Sequence, residues 1–266
     1  MGIVAFNWAR EGNNQLTLVM NRDNWGNRVI SKASWDGHIL SGRYEDSKGT
    51  WFAISKRGRV AFLMSRTLLD DDIVPFRGSE FYPSAFLESN MSPWEFAVNV
   101  QRERDIQNKL SYSLIVADMA SNSMVHIRKP EKDEPNVMIG ILPSGVHTLS
   151  PLHGLDSEIA VRDTFLRDRF TQMIGHLGND PLPQLNEFAS NYMLSPVGEG
   201  QETVFVEEMA NHPDLDRALG MQRYGTTSTT ALVVIRTGEV KIFERYREEN
   251  GQLTENNLPD FTFQDN

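Results

Sequence analysis

Four adjacent polar residues, Asn21-Arg22-Asp23-Asn24, interrupt a strand pattern carried by Leu16, Leu18 and Met20. An arginine beside an aspartate at a strand end can form a fixed pair whose planar guanidinium keeps donors for a carboxylate, phosphate or carbonyl oxygen. The same four residues can instead close an Asx-type turn on their own side chains. Gly42-Arg43, followed by Gly49-Thr50-Trp51, combines close backbone approach, a cation and a flat apolar wall; its plainer reading is a loop leading to a core aromatic. The run Tyr224-Gly225-Thr226-Thr227-Ser228-Thr229-Thr230 is a hydroxyl-rich strand entry that can line a pocket, although Thr and Ser also simply suit β-structure.

Other chemistries find little. Of six histidines only His147 and His153 lie close together, in a proline-containing stretch. Two imidazoles without carboxylates are an incomplete ligand set, so both read as exposed loop residues rather than a metal pair. Asp70-Asp71-Asp72 and Glu207-Glu208 read as solvated faces, because unpaired anions are costly to bury. Phosphate-binding glycine loops, dinucleotide fingerprints, zinc-protease helices and serine-hydrolase elbows are missing from the sequence.

The elements that must carry these residues alternate between hairpins and helices. Ile3 to Trp8 and Gln15 to Met20 flank the turn Glu11-Gly12-Asn13-Asn14; Thr50 to Ile54 and Arg59 to Met64 flank Lys56-Arg57-Gly58. Val60-Ala61-Phe62-Leu63-Met64 is apolar on both faces, which predicts a strand covered on each side. Ser92-Pro93-Trp94-Glu95 is a capping box with proline at the first helical position, and it predicts a helix over 93–105. Tyr112 to Ala117 and Met124 to Arg128 form a hairpin around Ser121-Asn122-Ser123. Asp156 is the expected cap of a helix running to Leu177, a shorter helix spans Leu182 to Tyr192, and Ser195 to Gln201 reads as a loop. Thr226 to Ile235 and Glu239 to Tyr246 make the last hairpin, followed by a polar, loosely held tail at 247–266. Local hairpins rather than crossovers define an α+β fold, expected as one domain over 1–266.

Composition removes whole classes of function. With 26 Lys+Arg against 36 Asp+Glu the net charge is −10, and no basic block exists to displace counterions from nucleic acid or an anionic membrane. Zero cysteine excludes disulfides, thiolate metal sites and a cysteine nucleophile. No apolar run approaches a membrane span, and the start lacks a signal pattern, so a cytoplasmic chain is expected. Myristoylation of Gly2 is not expected, because Phe6 stands where that motif takes Ser or Thr.

Met1-x-Ile3-Val4, Asn21-Arg22-Asp23, Ser41-Gly42-Arg43, Gly49-Thr50-Trp51, Gly58-Arg59-Val60-Ala61 and Tyr224-Gly225-Thr226 together resemble, in order and spacing, the NRDE family. Its best-known members are the Transport and Golgi organization 2 homologs. The similarity is nearly full-length, dense over the first 65 residues and sparse from 70 to 220. That family is similar to the N-terminal nucleophile hydrolases, so the resemblance implies a four-layer αββα sandwich. In those enzymes the residue after Met opens a central strand; as Cys, Ser or Thr it attacks an acyl carbon while its α-amine serves as base.

Gly2 stands at that position here and has no attacking atom. Asn24 replaces the family's usual Glu, Pro151 in Leu149-Ser150-Pro151 replaces an Asn, and Thr227 replaces the Arg of Tyr-Gly-Thr-Arg. The resemblance with these departures implies a pseudoenzyme-like protein of Golgi organization and secretion, with Golgi or mitochondrial association and a role in lipid homeostasis. It would bind a small anionic, amphipathic ligand such as acyl-CoA or haem. Arg22, paired with Asp23, would contact the anionic group, with Asn21, Asn24 and Arg43 beside it and Trp51 against the apolar part. No catalytic residue, metal or resident cofactor is expected. The alternative is a hydrolase with residual amidase or thioesterase activity, using the Gly2 amine to activate water or one of Thr226 to Thr230 as nucleophile. If the nucleophile alone is missing, Gly2→Cys restores hydrolysis of activated acyl esters.

Overall fold

The computed structural model describes residues 2–25, 28–45, 47–65, 78–102, 111–131, 134, 136–151, 153–177, 182–194, 204–207 and 224–264. In chain order the strands are β1 (Gly2–Trp8), β2 (Asn14–Trp25), β3 (Ile30–Asp36), β4 (Ile39–Tyr44), β5 (Phe52–Ser55) and β6 (Arg59–Ser65). Helices α1 (Tyr82–Glu88) and α2 (Pro93–Arg102) come next, then β7 (Tyr112–Asp118), β8 (Ser123–Lys129), β9 (Met138–Ile141), β10 (Gly145–Ser150) and β11 (Gly154–Leu155). Helices α3 (Val161–Leu177) and α4 (Leu185–Met193) precede β12 (Tyr224–Ile235), β13 (Glu239–Arg247), β14 (Leu253–Asn256) and β15 (Phe261–Thr262).

Contacts divide the chain into two compact units: residues 1–27 with 144–262, and residues 28–143 with 263–266. The first unit holds an antiparallel sheet ordered β11-β10-β1-β2-β12-β13-β14, with β15 also on β13. Its central strands thus come from both ends of the chain. Alternation sends Ile3, Ala5, Val19 and Ala231 to one face, where they pack with Leu166 and Phe170 of α3 and Phe188 and Met193 of α4. The Phe170 and Phe188 rings lie 5.8 Å apart, and truncating such a buried aromatic costs about 3–5 kcal/mol. Val4, Phe6, Leu18 and Met20, on the opposite face, are equally buried.

The second unit is a seven-stranded antiparallel meander from β3 to β9. Ala61, Leu63, Leu114, Val116, Val125 and Ile127 pack with Phe86 and Leu87 of α1 and Phe96, Ala97 and Val100 of α2. All seven residues of β6 are buried, as the unbroken apolar run predicts. The capping box forms as read: the Ser92 N–H and hydroxyl both donate to the Glu95 carboxylate at 2.9 Å, and the Glu95 N–H donates to Ser92 Oγ. Arg59 of the Gly-Arg-Val-Ala motif closes this corner. Its guanidinium stacks on Phe86 at 3.9 Å and donates to the carbonyls of Ser89 and Met91, between α1 and α2.

Several expectations are corrected. β2 does not stop at Met20 but carries Asn21-Arg22-Asp23-Asn24 as its last residues before Trp25, so the tetrad is the end of a strand and not a turn. α3 starts at Val161, because Asp156 adopts a left-handed backbone (φ +51°) and is engaged elsewhere. The tail is not loose: β14 and β15 pair with β13, the Gln264 N–H donates to the Lys56 carbonyl, and Phe263 covers Gly58. The short strands β3, β4, β9, β10 and β11 and helix α1 were not legible in the residue pattern. Helix α4 lies within one to three residues of its expected bounds. The loop at 195–201, the Asp70–Asp72 run, Glu208 and the end of the expected 93–105 helix lie outside the described residues. Among those described, no helix is long and apolar enough to cross a membrane.

Candidate functional site

The tetrad is framed by the two strands beside it. Across β1, Gly2 faces Arg22 and Ile3 faces Asn21; across β12, Tyr224, Gly225 and Thr226 face Trp25, Asn24 and Asp23. A β-bulge then inserts Thr227, so that Ser228 faces Arg22 and Thr229 faces Asn21. The bulge is necessary for this chemistry. Without the extra residue Thr226 and Thr229 would point to opposite faces of the sheet, whereas both meet the face of Asn21 and Asp23.

On that face, which carries α3 and α4, the polar groups are satisfied in detail. Asn21 Nδ2 donates to the carbonyls of Met193 (3.0 Å) and Val204 (2.9 Å), while its Oδ1 accepts the Thr229 hydroxyl at 2.7 Å. Asn21 therefore ties β2 to both Met193, the last residue of α4, and Val204. Asp23 Oδ1 accepts the Thr226 hydroxyl at 2.7 Å; Thr226 Oγ1 in turn accepts the Val206 N–H at 2.9 Å, and the Thr226 N–H donates back to the Val206 carbonyl. The Tyr224 phenol also bonds to Asp23. Burial pushes its titration far up, the Asp23 charge adds to this, and Arg22 and Arg162 act in the opposite sense.

The opposite face carries Arg22 and Asn24, both buried, with Arg22 only 1% exposed. The bulge residue Thr227 donates its hydroxyl to the Arg22 carbonyl at 3.0 Å. Directly across from Arg22, Gly2 is buried with φ +130°, and a β-carbon there would lie 2.0 Å from the Asn21 carbonyl oxygen and 2.9 Å from its carbon. Those atoms belong to the backbone of a central strand and cannot swing aside. The position lacks both a nucleophile and the space for one. Beside β1, Ser150 lies one residue beyond the Val4–Leu149 pair, and its hydroxyl donates to the buried carboxylate of Asp163 in the first turn of α3 at 3.0 Å.

Arg43 and Trp51 fall in the other unit and are engaged locally. Arg43 Nη2 pairs with the exposed Asp36 at 3.0 Å, a surface contact of small worth. Trp51 is buried, meets Tyr44 edge-on at 5.4 Å, and lies where a β-carbon on Gly42 would be 2.7 Å from its ring. Gly42 is thus required by the indole. Gly49 is likewise required by Glu80, whose carboxylate holds Arg28 with two contacts of 2.5 and 2.6 Å.

The histidine reading is also corrected. His147 is not an exposed loop residue but a buried member of β10, level with Phe6, whose ring lies 5.4 Å from the imidazole. Its Nδ1 meets Asp156 Oδ2 at 2.7 Å, while Asp156 Oδ1 accepts the Thr148 N–H. Burial works against ionisation of Asp156, but the bonds from His147 and Thr148, with the charges of His147 and Arg167, together hold its carboxyl below the usual range. An aspartate nine residues after a histidine was the signal available in sequence, and it is a weak one. Among the described residues no group of three or more His, Asp or Glu could hold a metal ion.

The site thus lies on a central strand that begins at the second residue, across from a buried arginine, in a sheet packed by helices on one face. The chain belongs to the Transport and Golgi organisation 2 family, whose sequence model matches residues 1–249. No curated protein matches it. Among solved structures it is similar to a Cys-to-Ala mutant of the conjugated bile acid hydrolase from Clostridium perfringens, with 11% identity and a TM-score of 0.50 over 98% of this chain and 97% of that one. At that identity the likeness is one of fold.

Proposed function

We propose that this protein is a non-catalytic member of its family that binds an anionic, amphipathic ligand of the acyl-CoA or haem class at the Arg22 end of β1 and β2. In this reading it serves Golgi organisation and secretion from the cytoplasm, in association with the Golgi or mitochondria. Residues 1–266 act as one domain, with the two sheets and their helices as a four-layer αββα sandwich.

The observation that carries the reading is Gly2, where the position of the attacking side chain is closed by the Asn21 backbone while Arg22 is retained across the ladder. A scaffold that keeps an anion-binding cation and loses its nucleophile can hold an acyl compound without cleaving it. Arg22 contacts the anionic group and Asn24 shares its face; Asn21 and Asp23 hold the frame from the other side. A hydrolase with residual amidase or thioesterase activity is the second reading, supported by the fold shared with the bile acid hydrolase.

Calorimetric titration with palmitoyl-CoA and with haem, run on the wild type and on Arg22→Ala, tests the proposal. Saturable binding of either compound that the variant loses is expected. Binding that Arg22→Ala leaves unchanged removes the site from this end of the sheet.

A further inference from the structure

The edges of the two sheets differ in charge. Edge strand β3 carries Lys32 and Asp36, and edge strand β14 carries Glu255, charges that discourage a further strand from pairing there. β9, the last strand of the second unit's meander, carries none: its residues Met138-Ile139-Gly140-Ile141 leave Met138 50% and Ile141 67% exposed. Among the described residues no strand pairs with β9 on the side away from β8.

The ladder fixes which backbone groups of β9 face outward. The Leu142 N–H donates to the Met124 carbonyl at 3.0 Å, and the register continues with Ile141 facing Val125 and Gly140 facing His126. Antiparallel pairs alternate between bonded and non-bonded, so Leu142, Gly140 and Met138 bond to β8 while Ile139 and Ile141 turn their N–H and C=O groups to the open side. The window stops at both ends. Gln101 of α2 donates to the Val137 carbonyl at 2.7 Å, and Pro143 has no N–H to give. Two outward residues, centred on Gly140, remain.

We propose that β9 is a self-association edge that pairs antiparallel with β9 of a second copy of this chain about a two-fold axis at Gly140. In that register Ile139 meets Ile141 of the other copy and Ile141 meets its Ile139; each pair exchanges two backbone hydrogen bonds, and every outward group in the window is used. Each exposed Ile141 then covers a half-buried Ile139, Met138 lies opposite Leu142, and the axis brings together two glycines with no side chains to collide. Charge permits the pairing. Residues 136–144 are uncharged in a chain of net charge −10, and Glu134 of the two copies lies at opposite ends of the seam. A longer strand from an unrelated partner would run past Pro143 and the occupied Val137 carbonyl without bonds. The exposed parts of Met138 and Ile141 amount to on the order of 500 Å² over two copies, below the ~1,200–2,000 Å² of a stable complex, so the association is weak and reversible.

The chain has no cysteine, so single cysteines report the seam directly. Gly140→Cys puts its side chain at the axis, where facing α-carbons about 4.5 Å apart suit a disulfide, and in the single chain its β-carbon meets nothing within 4 Å. Ser121→Cys, in the exposed turn between β7 and β8, is the control. With oxidised glutathione, Gly140→Cys is expected to form a covalent dimer about tenfold faster than Ser121→Cys. Sedimentation equilibrium of the wild type up to about 1 mM is expected to show the mass rising from one chain toward two, and Ile141→Lys, at an exposed position, weakens the association about tenfold. Equal disulfide rates for the two cysteine variants overturn the inference. So does a wild type that stays monomeric throughout, or a dimer that Ile141→Lys leaves intact.

Discussion

Gly2 and Asn21 meet so closely across the first ladder that the Asn21 carbonyl oxygen occupies the space of a side chain at position 2. A side chain at position 2 therefore requires the backbone of two central strands to move, so a substitution there acts on the ladder before it can act on a ligand.

Gly2→Cys is expected to lose about 1–3 kcal/mol of stability through the forced contact with the β2 backbone. It should release no p-nitrophenol from an activated acyl ester beyond the wild-type background. The earlier expectation that a cysteine revives hydrolysis depends on space that is not there. A burst of one product per chain from a folded variant would show that β1 can shift to accept it.

Asn21→Ala removes two donors from the carbonyls of Met193 and Val204 and an acceptor from Thr229. Leaving such buried groups unmatched costs about 3 kcal/mol, read as a lower urea midpoint at unchanged slope. A loss below about 0.5 kcal/mol would mean that the brace is dispensable.

Gly42→Ala places a methyl group 2.7 Å from the Trp51 ring, and overpacking at such a site costs about 1–3 kcal/mol. Tryptophan fluorescence should shift as the indole moves. Unaltered emission and melting would show that the ring is not confined by Gly42.

Asp156 has a depressed folded titration point, so its contribution to stability is complete above the unfolded aspartate value of about 3.9 and is lost as pH falls through the lower folded one. The wild type should therefore keep this contribution into moderately acidic solution. His147→Gln removes the imidazole from that carboxylate and should bring the acid loss of stability to higher pH, measured as melting temperature against pH. Parallel acid profiles for the two proteins would show that the pair is not coupled.

What could be read in advance was local. Ser92 and Glu95 are three residues apart, and their capping box needs nothing but the chain that contains them. The hairpin of β1 and β2 follows from alternation around a four-residue turn. The tetrad was visible as a break in an apolar pattern at a strand end, but its partners were not, because they depend on β12 arriving from two hundred residues away with a bulge at Thr227. His147 looked exposed because its carboxylate lies across the β10–β11 turn and not at an adjacent position. Arg43 and Trp51 were grouped with the tetrad by motif order, whereas their immediate partners, Asp36, Tyr44 and Gly42, are their own neighbours in sheet and turn.

The central claim is that an acyl ligand is held and not cleaved. It is tested most directly by incubating the protein with an equal amount of palmitoyl-CoA and following thioester absorbance and intact protein mass over several hours. An unchanged thioester bound to a protein of unchanged mass is the expected result. Release of free CoA above the spontaneous rate, or an acyl adduct on the chain, would contradict it.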